Sequence, residues 1–152
     1  MTKILFICHG NICRSPMAEF IMKQLVEQAG RADEFEIASA AVSTEEIGND
    51  IYPPAKRMLA AKGVPFTHRA ARQMTRADYG KYDLLIGMEG INLKYMKQIC
   101  GGDPEGKMSL LLDHTGHPGD IDDPWYTRDF AGVYRQISEG CRALLEELRI
   151  QT

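Results

Sequence analysis

The segment Lys3-Ile4-Leu5-Phe6-Ile7-Cys8-His9-Gly10-Asn11-Ile12-Cys13-Arg14-Ser15-Pro16-Met17 decides the fold. Residues 3–7 are an unbroken apolar, β-branched and aromatic run, the pattern of a strand buried on both faces. Pro16 suits the first turn of a helix. The intervening Cys-x5-Arg-Ser loop is short enough to close around a tetrahedral anion, with the Cys8 sulfur beneath it and the Arg14 guanidinium at its rim. Gly10 and Asn11 favour the left-handed backbone that turns successive amides toward one point. The helix that follows adds free N–H groups and the positive end of its dipole, which favour both a phosphate and a thiolate. Cys8 is therefore a candidate nucleophile, since the thiolate is the reactive form.

Outward from this unit the strand–helix alternation repeats. Met17, Ile21, Met22, Leu25 and Val26 recur at helical spacing, with Gly30 as the stop. Residues 35–40 read as a second strand, and after a polar loop over 43–52, Pro53 and Pro54 open a helix ending near Gly63. Residues 82–88 are predicted as a third strand, 89–100 as a helix and 107–112 as a fourth strand, with a short helical turn near 75–79. Phe130, Val133, Ile137, Cys141, Leu144, Leu145 and Leu148 form one face of a last helix. Such alternation predicts an α/β fold in three layers, a four-stranded parallel sheet flanked by helices, in a single domain over residues 1–152. Ligands bind beyond the carboxyl ends of such strands. The Cys8 loop and the long polar loop over 114–126 both follow strands, so they are predicted to meet at that edge.

With 44% hydrophobic and 26% charged residues in 152, the composition is that of an ordinary globular protein. The net charge of −3 gives no reason to expect nucleic acid or an anionic membrane as partner. An anionic substrate then needs a strongly local positive site, which Arg14 and a ring of amides provide. No apolar run approaches the roughly 18 residues of a membrane span, and the N-terminal run reads as a strand rather than a signal peptide. Cys8, Cys13, Cys100 and Cys141 are too sparse for a disulfide framework, so reduced thiols and a cytoplasmic location are expected. His9, His68, His114 and His117 are scattered without zinc spacing, and no metal or cofactor is assigned.

A thiolate attacking a phosphate monoester must overcome the substrate's own negative charge, so the site has to neutralise it in fixed geometry. The planar fork of Arg14 matches two phosphate oxygens. Ser15 can donate its hydroxyl to the sulfur. The leaving oxygen needs a proton, and Asp123, held before the rigid Pro124, is the best general acid and then the base for the attacking water. Asp122 is the second choice, or else a solvated loop carboxylate, and Asp120 reads as a solvated or turn residue. Trp125 and Tyr126 offer aromatic walls or simply cover a loop. Cys13 is either a loop-packing residue or a thiol that captures oxidised Cys8. Cys100 and Cys141 read as structural.

The segments Cys8-His9-Gly10-Asn11-Ile12-Cys13-Arg14-Ser15-Pro16-Met17-Ala18-Glu19, Ala41-Val42-Ser43 and Asp123-Pro124-Trp125-Tyr126, in that order, resemble the low-molecular-weight protein tyrosine phosphatases over nearly the full length. The resemblance implies a phosphocysteine intermediate on Cys8, Arg14 as phosphate clamp and Asp123 as acid and base. It also implies that residues 8–15 with Glu45, Trp125 and Tyr126 contact substrate, and that Cys13 is the second thiol protecting the nucleophile. Asn11 and Ser15 fall where the family keeps a loop-holding hydrogen-bond network, which His68 would extend, or else His68 is a surface histidine. A phosphotyrosine protein is the implied partner, with inorganic phosphate or other oxyanions as product or inhibitor and a monomer or weak dimer as the assembly.

Two departures bear on selectivity: His9 stands where a leucine is common, and Glu45 falls near an aromatic wall position, so basic peptides are expected to be favoured. Two rival readings fit these residues less well. A thiol-dependent arsenate reductase needs a further cysteine pair, and between Arg72 and Gln98 there is no cysteine. A non-catalytic phosphotyrosine-binding module needs the amides and Arg14, but has no use for Cys8, Ser15 and Asp123 together.

Overall fold

The computed structural model describes residues 1–150. Four parallel strands, β1 (Thr2–Cys8), β2 (Phe35–Ala41), β3 (Leu84–Gly87) and β4 (Met108–Leu110), lie in the order β2-β1-β3-β4. Among the described residues six α-helices connect or follow them: α1 (Arg14–Gln28), α2 (Pro53–Ala61), α3 (Arg76–Lys81), α4 (Gly90–Cys100), α5 (Pro124–Thr127) and α6 (Phe130–Ile150). The predicted α/β architecture with a four-stranded parallel sheet is the one observed.

The period-2 geometry of β1 divides the core. Ile4, Phe6 and Cys8 face a large cluster with Met17, Ile21, Leu59, Ile137 and Leu144 from α1, α2 and α6. Leu5 and Ile7 face a smaller cluster with Tyr79, Tyr82, Met96 and Cys100 from the side of α3 and α4. Residues 4–7 are all fully buried, so the run without alternation follows from a central strand covered on both sides. The amphipathic face expected for α6 also packs inward, with Ile137 and Cys141 fully buried.

Element boundaries differ from the sequence reading where side chains compete for backbone partners. The third strand starts at Leu84 rather than 82, because the Asp83 carboxylate accepts the Lys3 amide at 2.8 Å and turns the chain in. The fourth strand stops at Leu110. There the Asp113 side chain accepts the Leu110 N–H at 2.9 Å and winds Leu111–His114 into a 3-10 turn. The helical turn near 75–79 is α3, closed by a capping box between Thr75 and Asp78.

Gly140 lies inside α6 against this turn, where a Cβ would come within 2.5 Å of Leu111 Cγ. Gly80, in α3, has nothing within 4 Å of the same position. Gly140→Ala should therefore destabilise by about 1–3 kcal/mol through overpacking, despite its better helix propensity. Gly80→Ala should raise stability by up to about 1 kcal/mol, and urea titrations of the two variants against wild type read both signs.

Candidate active site

The carboxyl end of β1 delivers Cys8 to the loop, and α1 begins six residues later at Arg14, so strand and helix fix both ends of a tight turn. Asn11 carries the left-handed backbone, with φ of 60°, and Gly10 does not. At Gly10 a Cβ would meet Glu46 Cγ at 3.3 Å, a tight contact that the Glu46 side chain would have to yield to. The Asn11 amide points at Cys8 Sγ at 3.3 Å, and Ser15 Oγ lies 3.1 Å from the same sulfur. Cys8 is 3% exposed at the floor of a cavity of about 130 Å³, whose walls include His9, Gly10, Ile12, Cys13, Arg14, Glu45, Asp123, Trp125 and Tyr126. The sequence-predicted residues 8–10, 12–14, Glu45, Asp123, Trp125 and Tyr126 are thus brought together around one small opening, with Asn11 and Ser15 buried behind it.

Arg14 is buried, and its charge is compensated from two other loops, the one after β3 and the one beyond β4. Nη1 meets Glu89 Oε2 at 2.9 Å and donates to the Ile121 carbonyl at 2.9 Å, while Nη2 lies 3.4 Å from Asp123 Oδ2. Nε is a buried donor with no protein acceptor. With Nη1 committed, the Nε–Nη2 edge is the one that can grip an oxyanion side-on. Burial works against the Arg14 charge, but Cys8, Asp123 and Glu89 outweigh it and raise the pKa further, so the cation is permanent. Cys13, 4% exposed, is held protonated: burial pushes its thiol far up, and the negative charge of Cys8 and Asp123 adds to the shift.

Asp123 caps α5, its Oδ1 accepting the Trp125 N–H at 3.0 Å while Pro124 occupies the first helical position. That cap leaves Oδ2 directed at Arg14. Asp122 is exposed and outside this contact. Asp120 accepts the Gly90 N–H at 2.9 Å and ties the loop to the start of α4, a contact between distant segments rather than a turn. The Trp125 ring rests on Tyr52 with centroids 4.7 Å apart, whereas Tyr126 is 80% exposed at the mouth. His9 Nε2 and Glu45 Oε2 pair at 2.9 Å across the rim.

Behind the loop, Asn11 Nδ2 donates to Ser15 Oγ at 2.7 Å and to Ser39 Oγ at 3.0 Å. Arg69 Nη2 donates to the Asn11 carbonyl at 2.6 Å and to Asn11 Oδ1. The expectation that His68 extends this network is corrected here. The His68 ring is exposed and pairs with Asp50 at 2.9 Å, and the following residue, Arg69, reaches Asn11 because its longer side chain turns inward. Sequence reading missed Glu89, Ser39 and Arg69. Glu89 was findable as an acidic residue right after a strand at the functional edge, whereas Ser39 and Arg69 gave no signal without the tertiary pairing of residues 11, 39 and 69. The cysteine missing for a reductase is not supplied by Cys100, which packs in the core on the opposite face of the sheet.

Asp50 anchors the Arg69 segment. Partial burial opposes its charge, but Lys56 at 2.6 Å, the Ile51 and Arg69 amides and His68 together hold its carboxyl well below the usual range. A depressed folded-state value stabilises the fold above the unfolded value of about 4 and is lost as pH falls below it. Asp50→Asn should accordingly be less stable than wild type at pH 6–7 and converge with it in more acidic solution. Thermal unfolding across pH tests this, and a constant difference down to the most acidic buffers would contradict it.

The family model for low molecular weight phosphotyrosine protein phosphatases matches residues 3–152. Among similar curated proteins, Bacillus subtilis YfkJ, a low molecular weight protein-tyrosine-phosphatase, is 32% identical over 98% of this chain and 97% of its own length. The human low molecular weight phosphotyrosine protein phosphatase is 34% identical over 95% and 94%. The crystal structure of YfkJ superposes with a TM-score of 0.96 over 100% of this chain and 97% of that one. Vibrio vulnificus Wzb, solved in complex with benzylphosphonate, gives 0.84 at 29% identity over 96% and 98%. A Cys-x5-Arg loop closing on a buried sulfur, an Arg14 held from the loops after β3 and β4 and a match along the whole sheet agree on one conclusion: the chain belongs to the low molecular weight phosphotyrosine protein phosphatase family.

Proposed function

We propose that the chain hydrolyses protein phosphotyrosine and small aryl phosphates by two displacements through a phosphocysteine on Cys8. What carries this reading is the Cys8 sulfur at the floor of an anion-sized cavity, with the Nε–Nη2 edge of Arg14 on one side and Asp123 on the other. The thiolate attacks phosphorus, the phosphorus–oxygen bond to the aryl group breaks, and Asp123 gives its proton to the leaving oxygen. Water then attacks the phosphocysteine, Asp123 takes its proton, and the Ser15 hydroxyl stabilises the departing thiolate. Loop amides and Arg14 carry the charge of the transferring group throughout.

The benzylphosphonate held by the Vibrio vulnificus relative has the head group of a phosphotyrosine, which supports an aryl phosphate here. Trp125 and Tyr126 would flank that ring, and Glu45, half-compensated by His9, would favour basic residues beside it. Four unpaired cysteines suit a reducing cytoplasm, and the Cys13 thiol lines the same cavity as Cys8, where it would capture an oxidised nucleophile. Among the described residues no helix is long and apolar enough to cross a membrane.

Cys8→Ser should abolish hydrolysis of p-nitrophenyl phosphate while phosphate still raises the melting temperature, because the amides and Arg14 remain. Loss of both would place the defect in folding or binding, and retained hydrolysis would refute a Cys8 nucleophile. Asp123→Ala should slow substrates with poor leaving groups by about 10²–10⁴-fold and good ones far less. Equal losses across a leaving-group series would assign the acid to another residue.

A further inference from the structure

We infer that Asp122 is a specificity-determining residue, lining a second cavity beside the catalytic one that takes a lysine or arginine side chain flanking the phosphotyrosine of a protein substrate. The inference deepens the reading of the site as a phosphotyrosine hydrolase and rests on it. The second cavity, of about 350 Å³, adjoins the first, and His9, Asp123 and Tyr126 line both. Its remaining walls include Glu89 and Ile91 at the start of α4 and Asp122 in the loop before α5. An extended peptide spaces successive side chains by about 3.3 Å, so adjoining cavities receive side chains that are near in sequence.

The walls select the occupant. Among the described residues six large apolar side chains are exposed, and three of them, Ile91, Trp125 and Tyr126, line these two cavities. Apolar surface gathered at one mouth marks a ligand face. The carboxylates of the second cavity differ in what they can offer. Glu89 and Asp123 are both held by Arg14, at 2.9 and 3.4 Å, and Asp123 also caps α5. The Asp122 side chain is exposed and has no hydrogen bond or ion pair with any described residue. His9, the one basic side chain on these walls, is already paired with Glu45. The cavity therefore carries one uncompensated negative charge beside an apolar patch. Lysine and arginine match both features, with the methylene stem over Ile91 and the cation at Asp122. An acidic neighbour would be repelled, and an apolar one would strip water from the carboxylate without replacing it. Glu45 lines the catalytic cavity and not this one, so the two carboxylates favour basic residues at different positions of the peptide.

The test compares kcat/KM for phosphotyrosine peptides that carry lysine or alanine at each of the two positions on either side of the phosphotyrosine. The alanine peptide is the reference within each variant, so the readout is a ratio. In wild type, lysine at one of these positions should gain about threefold through KM, the effect of an exposed ion pair. Asp122→Asn should bring that ratio to about one and Asp122→Lys should take it below one, while Glu45→Gln retains it. A ratio near one at every position in wild type, a gain that survives Asp122→Asn, or a gain that Glu45→Gln abolishes equally would overturn the inference. So would a fall in kcat shared by both peptides in Asp122→Asn, which would make Asp122 an acid instead. Wild-type protein that hydrolyses neither these peptides nor p-nitrophenyl phosphate would instead refute the phosphatase reading itself.

Discussion

A guanidinium buried to 1% exposure is the constraint on which the rest of the molecule depends. Removing such a charge from water costs on the order of several kcal/mol unless partners meet it in good geometry. Arg14 satisfies this with partners from two segments: Glu89 after β3, and the Ile121 carbonyl and Asp123 from the loop beyond β4. The same contacts draw both of these loops to the Cys8–Arg14 loop at the carboxyl edge of the sheet. The charge proposed to stabilise an oxyanion thus also organises the walls around it.

The sheet supplies the rigid frame for this arrangement. β1, paired on both sides and covered by helices on both faces, sets where the loop begins, and the first turn of α1 sets where it ends. Between those points Asn11 adopts a left-handed backbone that an Asn tolerates at modest cost. That cost is offset by the hydrogen bonds to its carbonyl and side chain. The left-handed backbone, the polar satisfaction and the aim of an amide at the Cys8 sulfur all meet in this one buried residue.

Much of this was legible in the sequence where chemistry is carried by neighbours in the chain. The apolar run at residues 3–7, the Cys-x5-Arg loop and Pro16 define a strand–loop–helix unit, and the Asp123-Pro124 pair carries its own cap. Legibility ended where partners come from distant segments. The strand order β2-β1-β3-β4 depends on crossovers that no local pattern encodes. Glu89 looked like an ordinary helix start, and Arg69 was read past in favour of the adjacent His68, because a histidine is the more conspicuous residue and the side-chain direction of a loop has no periodicity. The ends of β3 and β4 shifted because Asp83 and Asp113 bind backbone amides, an effect that hydrophobic runs do not reveal.

The account comes down to a phosphoryl group passing through one sulfur. Rapid mixing with an excess of aryl phosphate, quenched in acid and resolved by peptide mass, tests this most directly. The account predicts release of aryl alcohol in a burst equal to the enzyme, with one phosphoryl group on the peptide containing Cys8. A burst without that adduct, or an adduct on another residue, would contradict it.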